Sequence, residues 1–228
     1  MLHKLRSSEE EGKRVRSFYD RFPYPSDPLR DGPPSVLNWR WSVEMVYSAC
    51  TGAIGPLTKS SDSIRILDAG CGTGVSTDYL AHLNPGSNIL AVDISLVALE
   101  IARERVRRSG AEGKACLHFQ NRSLLDLESE GEFNYINSVG VLHHLEDPLA
   151  GLIALEERLK PGGILHLFLY ADAGRWEIHR GHKALIAMGV ESEGRGLALA
   201  RQLFEFLPKN NRLRVNYEQR WKSECISD

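Results

Sequence analysis

Residues 66–74 read ILDAGCGTG: an apolar run meets an acid, Asp68, and then glycines at positions 70, 72 and 74. Residue types in that order build a binding turn. Glycine lets the chain reverse sharply and lets a ligand come close to the main chain. A helix-forming stretch follows, so the turn falls where α/β proteins hold nucleotides, at the carboxyl end of the first strand. The ligand is not a dinucleotide. That fingerprint wants a glycine where this chain has Val75, and Asp68 would set a negative charge beside the phosphates. An acid there suits a ligand with a cationic amino group. A second acid, Asp93, ends the apolar run NILAVD, where a carboxylate can accept hydrogen bonds from two ribose hydroxyls. Further along, His143 and His144 offer imidazoles able to act as general bases near neutral pH.

These residues need elements to position them. IRILD is short and β-branched, as a buried strand is, and NILAVD, ACLHFQ, FNYINSV and ILHLFLY repeat that texture. Helical stretches alternate with them. GVSTDYLAHL is one. SLVALEIARERVRRSG is another, with Ser95 as N-cap, Leu96, Leu99, Ala102 and Val106 on one face, Arg107 and Arg108 at its C-terminal dipole and Gly110 at its exit. DPLAGLIALEERL starts on Asp147 as N-cap with Pro148 at the first helical position, and KPGG breaks it. Five strands alternating with helices predict a doubly wound, mostly parallel α/β sheet of Rossmann-like type, with helices on both faces. The histidine pair then sits just past strand four, at the mouth of the pocket.

The two ends differ from this core. Residues 1–60 begin with a charged run and continue into FYDRFPYPSDPLRDGPP, whose prolines and glycine argue against a long helix or a central strand. A helix over 36–50 reads as an appendage, not a core layer. Phe18, Tyr19, Phe22 and Tyr24 between prolines suit an aromatic lid, with Tyr19 and Tyr24 as the lid and substrate residues. Residues 172–228 read as helix and loop, with one weak strand at RLRVNY. The expected division is an extension over 1–60, a cofactor-binding core over 61–171 and a mostly helical segment over 172–228, incomplete at its end.

Over residues 60–171 the chain resembles the class I S-adenosylmethionine-dependent methyltransferases. ILDAGCGTG is similar to their first motif and AVDIS to their second. NSVGVLHHLEDP is similar to the fourth-strand segment of their small-molecule branch, and LKPGGILHL to their fifth-strand motif. The resemblance implies S-adenosylmethionine as cofactor and S-adenosylhomocysteine as product. It places Asp68, Ala69, Gly70, Cys71, Gly72 and Gly74 at the methionine end, Asp93 and Ile94 at the ribose, Ser123 and Leu124 at the adenine edge, and Asn137 and Ser138 beneath the sulfonium. Two departures stand out. Where much of the family has an acid for the adenine amino group, this chain has Ser123, with Asp126 three residues on; either can serve, and the alignment favours Ser123. Strand four opens FN rather than FD, with Asn134 in place of a structural acid.

Methyl transfer is an in-line displacement with a good, neutral leaving group. Alignment and exclusion of water can supply ~7–11 kcal/mol of such a barrier. A base is needed only where the acceptor must lose a proton, so His143 and His144 are the catalytic candidates. Arg175, with Asp172 and Trp176, follows strand five, where substrate-contacting loops sit in this fold. The His179–His182 pair has no nearby acid or cysteine, so no metal is expected. Cys71 reads as a small residue tolerated by the turn.

Composition narrows the partners. With 28 basic and 30 acidic residues the net charge is −2, which argues against a broad nucleic-acid surface. No NPPY-type motif follows strand four, so a small-molecule methyl acceptor remains by elimination. Cys50, Cys71, Cys116 and Cys225 form no CxxC pair or disulfide framework, which points to a reducing, cytoplasmic setting. The N-terminus lacks a signal-peptide core, and no apolar run approaches the ~20 residues of a membrane span. Two rival readings stand beside methyl transfer. One is transfer of another group from a modified S-adenosylmethionine, which an added arginine in the pocket would favour. The other is a non-catalytic fragment whose missing edge strands leave a sticky sheet edge and a homodimer.

Overall fold

The computed structural model describes residues 2–36, 38–53, 63–127, 130–190 and 194–221. Cys225 lies outside the described residues. The chain divides into two compact units, residues 1–169 and 170–228.

The first unit is built on five strands, β1 (Arg65–Ala69), β2 (Asn88–Asp93), β3 (Cys116–Asn121), β4 (Phe133–Val139) and β5 (Leu159–Phe168). They form one parallel sheet in the order β3-β2-β1-β4-β5. Leu67 of β1 lies opposite Leu90 of β2 and Ile136 of β4. Helices α3 (Val75–Leu83), α4 (Leu96–Ser109) and α5 (Pro148–Glu156) make the crossovers. Alternation along the strands gives each face its own core. Ile66, Leu80, Ile89, Val106 and Tyr135 pack on one side, and Leu67, Phe133, Ile136, Leu142 and Leu155 on the other. The strand order reverses between β1 and β4, and their carboxyl ends flank the crevice where such sheets bind ligands.

Local chemistry sets the helix ends. The Ser95 hydroxyl accepts from the Ala98 amide at 3.1 Å, and Gly110 closes α4 in the left-handed conformation. Asp147 accepts from the Leu149 and Ala150 amides, each at 3.0 Å, with Pro148 at the first position of α5.

Several expectations need correcting. The N-terminal region does hold a long helix, α1 (Leu2–Arg21), of 20 residues. Its prolines begin only at Pro23, and the run before them is rich in Glu, Lys, Arg and Leu, all good helix formers. The stretch over 36–50 is a 3-10 turn, Trp39–Trp41, followed by α2 (Val43–Thr51). It is part of the core: Val43 and Val46 are buried against Ile66, Leu80 and Tyr135. Asn84 holds the junction, its Oδ1 accepting from the Val43 amide at 2.8 Å and its Nδ2 donating to the Trp41 carbonyl at 2.7 Å. Leu96 is exposed, and the buried face of α4 starts at Ala98. KPGG does not precede β5 but lies within it. Phe133 pairs with Leu159 while Tyr135 pairs with Ile164, so Lys160 to Gly163 bulge out of register. A bulge is where a strand accommodates a proline without an N–H and a glycine at positive φ. β5 then stops at Phe168, short of Tyr170.

The second unit holds α6 (Trp176–Ala187), α7 (Arg195–Phe206) and α8 (Arg212–Asn216). RLRVNY is thus helical, not a strand. Asn211 caps it by accepting from the Leu213 amide at 2.9 Å, and Arg214 pairs with Glu218 one turn on at 2.8 Å. Gly181 of α6 faces Leu213, and Phe204 of α7 meets Tyr217 with ring centroids 5.5 Å apart. Among the described residues no strand follows β5, and no helix is long and apolar enough to cross a membrane.

Candidate functional site

The first unit contains a cavity of about 640 Å³ at the carboxyl ends of β1, β2 and β4. Its floor is the glycine turn. The Gly70 and Cys71 amides both donate to the Val92 carbonyl, at 2.8 and 3.0 Å, which ties the turn to β2. The Gly72 amide donates to Asp93 Oδ2 and the Ser95 amide to Asp93 Oδ1, both at 2.8 Å. The Asp93 carboxylate is therefore fixed by two backbone amides while it lines the cavity. Burial pushes its carboxyl pKa up, and the amide bonds oppose the shift.

Two glycines in this turn are geometric necessities. At Gly72, φ is +52° and an added Cβ would stand 2.2 Å from the Tyr24 carbonyl oxygen. At Gly74, φ is +81° and the same atom would stand 2.8 Å from the Ala102 Cα. The first serves contact with the N-terminal segment, the second the packing of α3 on α4.

The cavity brings together Gly70, Cys71, Gly72, Asp93 and Ile94 with Ser123 and Leu124 from the loop after β3, and with Tyr19, Tyr24 and His144. Ser123, not Asp126, is the one on the wall, and its hydroxyl accepts from the Leu125 amide at 3.2 Å. Cys71 is buried, and burial raises its thiol pKa well above the usual value, the opposite of an activated nucleophile.

Six other expected residues do not line the cavity: Asp68, Ala69, Gly74, Asn137, Ser138 and His143. Asp68 is the main correction. Its Oδ2 accepts from Ser76 at 2.8 Å and Thr77 at 2.6 Å, and its Oδ1 from Asn137 Nδ2 at 2.8 Å. With 1% exposure, it is enclosed by these three donors. Burial raises its pKa against the pull of those bonds. Asn137 passes the ordering on. Its Oδ1 accepts from Trp41 Nε1 at 3.2 Å and from His166 Nδ1 at 2.8 Å. An amide oxygen only accepts, so His166 carries its proton on Nδ1. Burial and the nearby Arg40 push the His166 pKa down. Arg175 belongs to the second unit, where its guanidinium carbon lies 3.7 Å from the Tyr170 ring centroid. His179 and His182 stand on α6, and no metal-binding cluster of three His, Cys, Asp or Glu occurs among the described residues.

The structure adds wall residues that the sequence did not single out. Trp41 enters from the 3-10 turn, tilted on Tyr79 at 4.6 Å. Arg122 also lines the cavity, its guanidinium engaged by Glu130, Gln120 and the Asp126 carbonyl. Neither carries a motif or a periodicity. Only a lone arginine beside Ser123 and an alternating NWRW were there to be read.

The N-terminal segment covers the opening. Tyr19 Oη lies 2.9 Å from His144 Nε2, and the Ser95 hydroxyl lies 2.6 Å from Asp20 Oδ1. Thr73 donates its amide to the Tyr24 carbonyl at 3.2 Å and its hydroxyl to the Pro25 carbonyl at 2.6 Å. Arg105 of α4 reaches the Thr73 carbonyl at 2.9 Å and the Asp27 carbonyl at 2.7 Å, joining the turn to the cover. Of the four aromatics in this segment, Tyr19 and Tyr24 line the cavity, while Phe18 and Phe22 pack on each other with centroids 5.4 Å apart. The site thus offers a fixed acceptor carboxylate, a turn that admits close approach, apolar walls and one phenol–imidazole pair. That set fits a zwitterionic nucleoside.

A family model described as a methyltransferase domain matches residues 67–165. An uncharacterized protein of Synechococcus is 50% identical over 94% of this chain and 52% of its own length. A ubiquinone biosynthesis O-methyltransferase of Xanthomonas campestris is 31% identical over 60% of this chain and 53% of its own. The chain thus spans about half the length of these curated relatives. Among solved structures, PKMT2 from Rickettsia typhi in complex with AdoHcy aligns with a TM-score of 0.58 at 23% identity, over 90% of this chain and 39% of that one, a likeness of fold.

Proposed function

We propose that the chain, which matches a methyltransferase-domain family model over residues 67–165, is a class I S-adenosylmethionine-dependent methyltransferase that transfers a methyl group to a small molecule bound in the cavity under α1. The observation that carries this reading is Asp93: a carboxylate at the tip of β2, fixed by the Gly72 and Ser95 amides and facing the cavity beside the glycine turn. In this reading Asp93 and Ile94 hold the ribose, Gly70 to Gly72 the methionine end, and Ser123 and Leu124 the adenine edge. S-adenosylmethionine, when bound, supplies an electrophilic methyl carbon on a sulfonium. The chain's own residues orient that carbon and shed water. α1 and the segment through Pro25 act as the lid, with Tyr19 and Tyr24 on its inner side. His144 is the candidate base, since it lines the cavity and His143 does not.

Arg122 on the wall is the feature that favours transfer of a different, carboxylate-bearing group. Its guanidinium is already matched by Glu130, so methyl transfer remains the better reading. The test is calorimetric titration with S-adenosylmethionine, S-adenosylhomocysteine and NAD, for the wild type and Asp93→Ala. The first two are expected to bind, and the variant to weaken both by about 100-fold, the loss of two charge-assisted hydrogen bonds. Binding of NAD alone, or equal affinity in the variant, would overturn the reading.

A further inference from the structure

A phenol–imidazole contact joins α1 to the core at the cavity wall. Tyr19 Oη from α1 and His144 Nε2 from the segment after β4 are 2.9 Å apart, with ring centroids 5.6 Å apart and near-perpendicular planes. Both side chains line the cavity. The wall of that cavity carries the apolar Val15, Val139, Val141, Leu145 and Ala150 along with Glu146 and Asp147. A phenol is a stronger acid than the N–H of a neutral imidazole, so in the neutral pair Tyr19 donates and His144 accepts on Nε2. That fixes the His144 proton on Nδ1.

From this geometry we infer that Tyr19 and His144 form a proton relay for a hydroxyl-bearing, apolar methyl acceptor, complete only when α1 lies on the core. The inference rests on the methyl-transfer reading above and names its acceptor class. An alcohol or phenol oxygen becomes a good nucleophile as its proton leaves, which calls for a base at the reacting atom. The acceptor oxygen bonds to the methyl carbon as the carbon–sulfur bond breaks, with that bond's electron pair left on sulfur. The hydroxyl proton passes to Tyr19 Oη as Tyr19's own proton passes to His144 Nε2. Charge balances: the sulfonium is lost and one imidazolium is gained. The other titratable groups on the cavity wall are Tyr24, Cys71, Asp93, Arg122, Glu146 and Asp147. Asp147 already serves the α5 amides and Arg122 its own carboxylate. Glu146 is the group that would suit an amine, so amine transfer is the competing outcome.

The relay is tested on the full chain with Tyr19→Phe, His144→Gln and the double variant. Binding of S-adenosylhomocysteine by calorimetry is measured first. Its failure in the wild type would sink the methyl-transfer reading itself, apart from the relay. Nitrogen-15 histidine spectra are expected to show His144 with its proton on Nδ1 in the wild type, and a changed tautomer balance in Tyr19→Phe. Methyl transfer is then followed from labelled S-adenosylmethionine to 4-butylcatechol and to 4-butylaniline. The catechol is expected to be the acceptor, with its rate rising along an acid limb. Either single variant should lower that rate about 10²–10⁴-fold and flatten the limb, the double variant adding little more. The relay is overturned if His144 carries its proton on Nε2, or if Tyr19→Phe keeps the rate and its acid limb. The acceptor class is overturned if the aniline is preferred, or if neither probe is methylated by a chain that binds S-adenosylhomocysteine.

Discussion

The glycine turn and the N-terminal cover line the same cavity but are held in different ways. The turn is fixed by main-chain bonds to Val92, by the Asp93 carboxylate and by the close approach of Gly74 to Ala102. It inherits the rigidity of the sheet. The cover is tied by separate bonds: Tyr19 to His144, Ser95 to Asp20, Thr73 to Tyr24 and Pro25, and Arg105 to Asp27. Each such bond contributes about 1 kcal/mol net. The turn should therefore open only with global unfolding, whereas the cover can lift at a small fraction of that cost. In the function proposed above, the rigid part sets ligand geometry and the loosely attached one ligand entry.

Three substitutions would break or sharpen that contrast. The largest effect belongs to Gly74→Ala. A methyl there strains a left-handed residue and strikes the α4 backbone, so a loss of about 3 kcal/mol is expected in urea denaturation. A shift below about 1 kcal/mol would mean the turn is not anchored as described. Asp68→Asn comes next and is read through pH. The Asp68 carboxyl titrates above its ordinary 3.8 in the folded chain because it is buried. Its stabilising share is then complete below 3.8 and lost as pH rises through the folded value. Wild type should lose stability relative to Asp68→Asn across that window, and parallel stability curves would contradict the assignment. The smallest effect is that of Thr73→Val, which removes the hydroxyl bond to Pro25. Global stability should fall by no more than about 1 kcal/mol, while proteolysis within residues 22–30 speeds up. If Thr73→Val instead costs as much as Gly74→Ala, turn and cover are one cooperative structure.

The parts legible in the sequence were those governed by local rules. FNYINSV is β4 residue for residue, and Ser95, Gly110, Asp147 and Pro148 do mark helix ends. Asp93 could be placed because a strand tip leaves a side chain few directions. What escaped depended on partners distant in sequence. The long helix α1 is mostly polar, and its role shows through Tyr19 and Asp20 meeting residues after β4 and β2. Val43 gave no sign that Asn84 would bond its amide and bring α2 into the core. The buried setting of Asp68 was not legible because an acid beside a glycine turn reads as a ligand contact. The donors that enclose it, Ser76, Thr77 and Asn137, are recognisable only once β4 lies beside β1. RLRVNY misled because six alternating residues fit a short strand as well as one capped helical turn.

The contact between Gly74 and Ala102 also constrains how this chain can be redesigned. With an added methyl at 74 already within 2.8 Å of the Ala102 main chain, shrinking residue 102 to glycine creates no room. A combinatorial library that varies 74 alone, 102 alone or both together would return glycine at 74 in its most stable members. Diversity aimed at the cavity is better spent on the cover, where the side chains facing the ligand do not also hold the sheet together.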